Sequence, residues 1–549
     1  MCPGRGRAWH RRRAGPPVKT SRRDWLIGGA ALAAGLAARP ARAQAPGVYR
    51  RGNDADPETL DPHRSSTVAE AHILRDLYEG LLTYDDRGAI VPGAAESWSV
   101  SADALTYTFR LRADGRWSNG DPVLAGDFVF ALRRIMNPAT AAKYAEVLYA
   151  IRGARAVNRG EAPPEALGIA ATDARTIVLA LEQPTPYILE LLTHQTALPV
   201  HPVSVARFGD AFTKAGNHVS NGAYTLVDVA PNDRITLAAN PHFHAAGEVA
   251  IPRVAFLPTP DLASAVRRYA GGEIDSLADL PGDQMASLRT RFGEQVVLGP
   301  ALGVYALALN TRKAPFDDPR VRRALSLTID REFLAQAVWG DTMSPAYSLC
   351  PPGLDNSRTP PELAGREALP IDRESEAAAL LAAAGFGPGR PLALEYRFNA
   401  TDNNRNTAIA IAEMWRSLGV ETRFVYTDAK THFAHLRDGG DFDVARMSWI
   451  ADYSDPQNFL FLLETGNDGL NAGRYSSADF DRLMREASAE RDIARRAGIL
   501  FRAEAILMGD LPWIPLLHNR SKALISPRLK GYRANLRNVA PTRYLRLEA

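Results

Sequence analysis

At 549 residues, with 46% hydrophobic and 23% charged positions, the chain has ordinary globular composition and is too long for one core. Two or three domains follow, and a disordered, fibrous or short-period repeat protein is excluded. The net charge of +3 hides an asymmetry: residues 1–43 hold ten Lys and Arg against one acid, so the remainder is about −6 and lacks the basic footprint of a nucleic-acid binder.

That basic segment is the first predicted element. "TSRRDWLIGGAALAAGLAARPARAQA" carries Arg22 and Arg23, then an apolar run from Trp25 to Ala38, then Ala41-Arg42-Ala43. The run is too short and too rich in Ala and Gly to span a bilayer well, so the segment reads as a twin-arginine-type signal peptide cleaved after Ala43. Export to the periplasm follows. Cys2 leaves with the leader and Cys350 stands alone, so no intramolecular disulfide is expected.

Beyond Gln44, "GVYRRG" reads as a short strand. "VAEAHILRDLYEGLLTYDDRGAI" reads as a helix with Ile73, Leu74, Leu77, Tyr78 and Leu81 on one face. Tyr107, Phe109 and Leu111 alternate with polar residues as a half-buried strand, and a helical period follows from Asp127 to Asn137-Pro138. "LGIAATDARTIVLALEQPTPY" supplies two strands, and "NGAYTLVDVAPNDRITLAAN" a hairpin turning at Pro231-Asn232-Asp233. "RVAFLPT", a helix over Asp261–Tyr269 and "GGEIDSLADL" make a strand–helix–strand unit, which points to an α/β class. An apolar strand from Val304 to Leu309 marks a boundary, and Asp318-Pro319 opens a helix. A second α/β region follows, with helices at 374–384, 406–418 and 430–437 and strands at 392–398, 420–426 and 441–449. Residues 511–549 are strand-like and return toward the first region.

Enzyme templates fit poorly. H-E-x-x-H, G-x-S-x-G and P-loop patterns are absent, and "GFGPG" at 385–389 follows a helix and reads as its cap and turn. His242, His244 and Glu248, or His432 and His435, are the nearest metal-like groupings. Neither completes a ligand set, and the second pair reads as surface histidines of a helix. No metal or cofactor is expected, and an exported hydrolase is a remote alternative.

"SWIADYSDPQNFL" (448–460) holds the most informative residue. Asp452 sits just past the carboxyl end of a strand, among Trp449, Ile450 and Tyr453, where a desolvated acid is costly unless a cation meets it. Either Arg446, six residues earlier and about 20 Å away along an extended chain, or another Arg pairs with it, or a ligand ammonium does. An acid and an Arg lining one cleft suit a zwitterion. Both readings stand on the residues alone.

"LDPH", "RDLYEGLL", "AESW", "WSNGDPV", "NGAYTL", "GEID", "PFDDPRVRRAL" and "FDVARMSWIADYSDPQNFL" occur in an order that resembles the family 5 extracellular solute-binding proteins, the periplasmic oligopeptide-binding proteins of ABC transporters. The resemblance covers nearly the whole chain after the leader. It implies a two-lobed, three-domain α/β periplasmic-binding-protein fold with a hinged cleft, type II of the large peptide-binding class. The implied parts are 44–79, 203–302 and 519–549 as lobe 1, 80–202 packed on it, and 303–518 as lobe 2. It implies capture of short peptides and their delivery to membrane permease subunits by a monomer. Asp452 falls on the family's ammonium-binding acid, Arg446 on the Arg that meets a short peptide's carboxylate, Trp449 on the stacking Trp and Val68 on an early backbone contact. Departures are Tyr305 in a strand that has lost other tyrosines and a Glu (Ala308), Asn404 for a ligand-side His, the loss of a Trp near 429, "LLHN" (516–519) for a Tyr cluster, and Gly303 and Ile450 for a cysteine pair. These alter pocket walls, so a specialised peptide such as a cell-wall fragment, or a non-peptide solute (an oligosaccharide, a nickel complex), is the alternative.

Overall fold

The computed structural model describes residues 47–467 and 469–548, so the expected leader lies outside the described residues. One mixed sheet runs through the molecule. Its order is Glu421–Thr427, Ala393–Asn399, Val444–Ile450, Val296–Leu309, Trp513–Ile525, Ser276–Leu277, Val48–Gly52, Arg253–Leu257, Arg234–Ala239 and Tyr224–Ala230. A smaller antiparallel sheet (Ala95–Val100, Thr106–Leu111, Thr176–Ala180, Ile169–Ala171) packs its apolar face under the helix Ala125–Met136.

Two long strands join the halves. Val296–Leu309 and Trp513–Ile525 pair antiparallel, first from Val296 opposite Leu524 to Pro300 opposite Arg520, then from Val304 opposite His518 to Ala308 opposite Trp513. The register breaks between Pro300 and Val304, and such an irregularity bends and twists a ribbon. On one side of the break the ribbon pairs with Ser276–Leu277, and on the other with Val444–Ile450. The boundaries expected at 302/303 and 518/519 fall inside these two strands. Only Val304–Leu309 reads as apolar in sequence, because that part is buried on both faces.

The three largest hydrophobic clusters among the described residues follow this layout. Tyr78, Phe109, Trp117, Phe128 and Phe256 belong to one that joins the first part of the large sheet to the small sheet. On opposite faces of the second part lie a cluster with Phe459, Phe480, Leu500 and Trp513 and another with Tyr396, Phe398, Ile411 and Trp415.

Two expectations are corrected. The first helix spans only Val68–Leu77, with Tyr78 already extended, and Leu82–Tyr84 pairs with Ile90–Pro92. The chain leaves the helix because Glu79 is drawn into a buried ion cluster with His244 and Arg543 and because Gly222 lies against the Leu77 backbone. His432 is not on the surface: its ring is buried and Nε2 meets the Arg446 carbonyl at 2.9 Å.

Candidate functional site

The strand Val444–Ile450 places alternate side chains on opposite faces. Ala445, Met447 and Trp449 pack with one core, while Val444 packs with the other. The Arg446 guanidinium lies over the rings of Tyr305 (4.9 Å) and Phe433 (5.4 Å). It has no carboxylate partner among the described residues, and its Nε is a buried donor without an acceptor.

Past Ile450 the loop is pinned at several points. Asp455 is fully buried and takes two hydrogen bonds from Arg496, at 2.8 and 3.0 Å. Asn458 Oδ1 accepts from Trp449 Nε1 (2.8 Å) and, at 3.4 Å, from the Asp452 amide. Tyr453 stacks on Tyr187 with ring centroids 4.1 Å apart, and the Ser454 amide donates to Glu190 at 2.8 Å. The Glu190 carboxylate is itself gripped by Arg537 through both oxygens, at 2.7 and 3.0 Å. These anchors fix the backbone and leave the Asp452 side chain accessible to solvent at the edge of the surrounding walls.

Asp452 meets no cation among the described residues. The Tyr144 hydroxyl donates to Oδ1 at 3.2 Å. Desolvation by the surrounding walls raises the Asp452 carboxyl above its ordinary value. The Tyr144 bond opposes this and the Glu146 charge adds to it. Tyr144 in turn is pushed up to about 12 by its own burial and by Asp452.

Asp452 borders a cavity of about 620 Å³ whose walls come from both halves. Val68, Ala71, His72 and Arg75 present one face of the first helix, and Tyr144, Glu190 and His194 come from the small-sheet region. Ile450, Asp452, Asn519 and Arg537 complete it. Val68 is 61% exposed at the helix start, which a capping box between Thr67 and Glu70 secures.

The expected site residues therefore separate into groups. Asp452 and Val68 line one cavity. Trp449 is half-buried behind the loop, edge-on to Phe461. Tyr305 and Asn404 are buried together, with the Tyr305 hydroxyl donating to Asn404 Oδ1 at 3.1 Å beneath Arg446. Gly303 and Ile450 face each other across paired strands, and Asn519 fills the space a side chain at Gly303 would need. Sequence reading missed Arg75, Tyr144, Glu190, His194 and Arg537. Arg75 was the one with a signal, being on the Val68 face two turns along the helix.

Residues 89–471 match the family described as bacterial extracellular solute-binding proteins, family 5, middle region. The chain belongs to this family. The family 5 chain is 36% identical over 486 residues to the periplasmic murein peptide-binding protein MppA of Escherichia coli (87% of this chain, 89% of that one). It is 36% identical over 512 residues to the periplasmic oligopeptide-binding protein OppA of the same organism (92% and 93%). A third relative there, the probable deoxycholate-binding periplasmic protein YgiS, is 34% identical over 496 residues (88% and 90%). Among solved structures, the unliganded open form of MppA superposes with a TM-score of 0.85 at 34% identity, covering 91% of this chain and 97% of that one. Haemophilus influenzae OppA in complex with the peptide RPPGFSPFR gives 0.67 at 34% identity, covering 91% and 99%. These relatives give the family 5 chain the two-lobed α/β binding-protein fold.

Proposed function

We propose that this protein is a periplasmic solute-binding protein that captures short peptides between its lobes and delivers them to an ABC importer. The single observation that carries the reading is Asp452, a carboxylate held at the cavity wall by a pinned loop and met, among the described residues, by a tyrosine hydroxyl and no cation. A peptide ammonium is the cation that this seat lacks. Arg446, also without a carboxylate partner among the described residues, would take the carboxylate of a short peptide, with Trp449 holding the Asp452 loop from behind through Asn458. Tyr305 and Asn404 support Arg446 from behind.

Residues 44–79, 203–302 and 519–549 then form lobe 1, 80–202 pack on it, and 303–518 form lobe 2. The register break at Pro300–Val304 serves as the hinge. The better superposition on an open, unliganded relative than on a peptide complex supports a cleft that closes over its ligand. Residues 1–43 act as a twin-arginine-type export signal, and the protein works as a monomer without catalysis.

The names of the relatives span peptides and a bile acid, so the family alone leaves the ligand open. Asp452 favours an amine over a steroid carboxylate. Native mass spectrometry of the protein as purified tests this. Recovery of mixed short peptides is expected, and recovery of only a steroid, sugar or metal chelate overturns the reading.

A further inference from the structure

Within the cavity the charges are unequally spent. Arg537 is held by Glu190 and Asp355, Lys522 pairs with Asp279 at 3.0 Å, and Arg520 donates to the Asp341 carbonyl at 3.3 Å. Arg75 is different. It has no hydrogen bond or ion pair among the described residues, and its Nε is buried without an acceptor. Its guanidinium rests on the ring of Tyr84 at 6.0 Å, which Arg537 also approaches at 5.5 Å. The acids nearest in the chain offer it nothing further. Asp76 accepts from the Thr542 amide and hydroxyl, and Glu79 is taken by His244 and Arg543. Isolated charge in a partly dry wall is costly, and an anion arriving with its own charge removes that cost.

The neighbours extend this wall toward the ammonium seat. The Tyr84 hydroxyl accepts from Thr193 at 2.5 Å, and the adjoining His194 packs against Tyr144 with ring centroids 5.6 Å apart. Tyr144 then touches Asp452. His194 Nδ1 accepts from the Thr196 amide at 3.4 Å and lies 2.8 Å from the Thr196 hydroxyl, which leaves the ring proton on Nε2 as a donor. Burial holds that ring neutral, with its pKa lowered to about 3.

We propose that Arg75 and His194 form an anionic subsite beside Asp452, so that the protein prefers peptides carrying a carboxylate side chain at their first or second residue. This rests on the peptide reading above and narrows it. A guanidinium–carboxylate contact in such a wall distinguishes acid from isosteric amide by about tenfold or more.

Isothermal titration with Glu-Ala-Ala, Ala-Glu-Ala, their Gln counterparts and Ala-Ala-Ala tests the subsite. The wild-type protein is expected to bind at least one Glu peptide about tenfold or more tighter than its Gln isostere. That ratio falls to within about twofold in Arg75→Gln and recovers partly in Arg75→Lys. Melting curves establish that each variant is folded, and the lysine variant keeps the test readable if the glutamine variant does not fold. Tight peptide binding with no Glu-over-Gln preference, or a preference that survives Arg75→Gln, overturns this subsite alone. Failure of every peptide to bind overturns both readings.

Discussion

Asp452 and Asp455 stand three residues apart and play opposite parts. Asp455 is buried against Arg496 and belongs to the interior, where removing either partner leaves an uncompensated charge. Among the described residues the Asp452 carboxylate meets the Tyr144 hydroxyl and no cation. The sequence could place an acid past a strand end but could not choose between an internal Arg, such as Arg446, and a ligand as its partner. The choice depends on where the Arg446 side chain goes, and it goes to the rings of Tyr305 and Phe433. Replacing Asp452 by Ala should weaken free-amine tripeptides by about 30-fold or more, the cost of losing one member of a charge pair that the closing cleft would desolvate, and N-acetylated peptides far less. Calorimetric titration of both peptide forms checks this, and equal losses would mark a structural acid. Because the Asp452 carboxyl is raised above its ordinary value, the wild-type affinity should begin to fall on acidification at a higher pH than an ordinary aspartate would give.

At the scale of elements, short periodic stretches were legible where one physical demand acts alone. The helices Pro370–Ala383, Asp402–Arg416 and Ala429–Arg437 lie within a few residues of their expected ranges, as do the strands between them. Elements set by tertiary demands were not. The first helix stops at Leu77 for the sake of a buried cluster around Glu79, and the long strand starts at Val296, well before its apolar run. The helix Ile493–Asp510 carries another such demand. Glu504, on its buried face, accepts the Cys350 amide at 2.8 Å, and burial raises its carboxyl to about 7 against an ordinary 4.5. Between those values the unfolded chain ionises while the folded one stays protonated. This group therefore costs stability as pH rises from about 4.5 to about 7, up to about 3 kcal/mol. Urea unfolding at several pH values should show Glu504→Gln gaining on the wild type across that window and level beyond it. A constant difference would contradict the assignment. The same desolvation raises the buried Cys350 thiol well above its usual range, which disfavours the thiolate there.

Over the whole molecule, the cavity walls come from segments far apart in sequence, and this is why half the site was invisible before folding. Tyr144 and Asp452 are 308 positions apart, and no local pattern around either residue announces the other. The two long strands that bring these segments together also carry the register break between the halves. In the proposed account a peptide closes the lobes because its ammonium is held by Asp452 on one side while its backbone meets Val68 and its neighbours on the other. A ligand shifts the open–closed equilibrium only by the contacts it makes better in the closed form. Small-angle X-ray scattering during titration with a free-amine tripeptide and with its N-acetylated counterpart tests this most directly. The account predicts a saturable decrease in radius of gyration with the free amine and little or none with the acetylated peptide at the same concentration. No change with either peptide, or the same change with both, would contradict it.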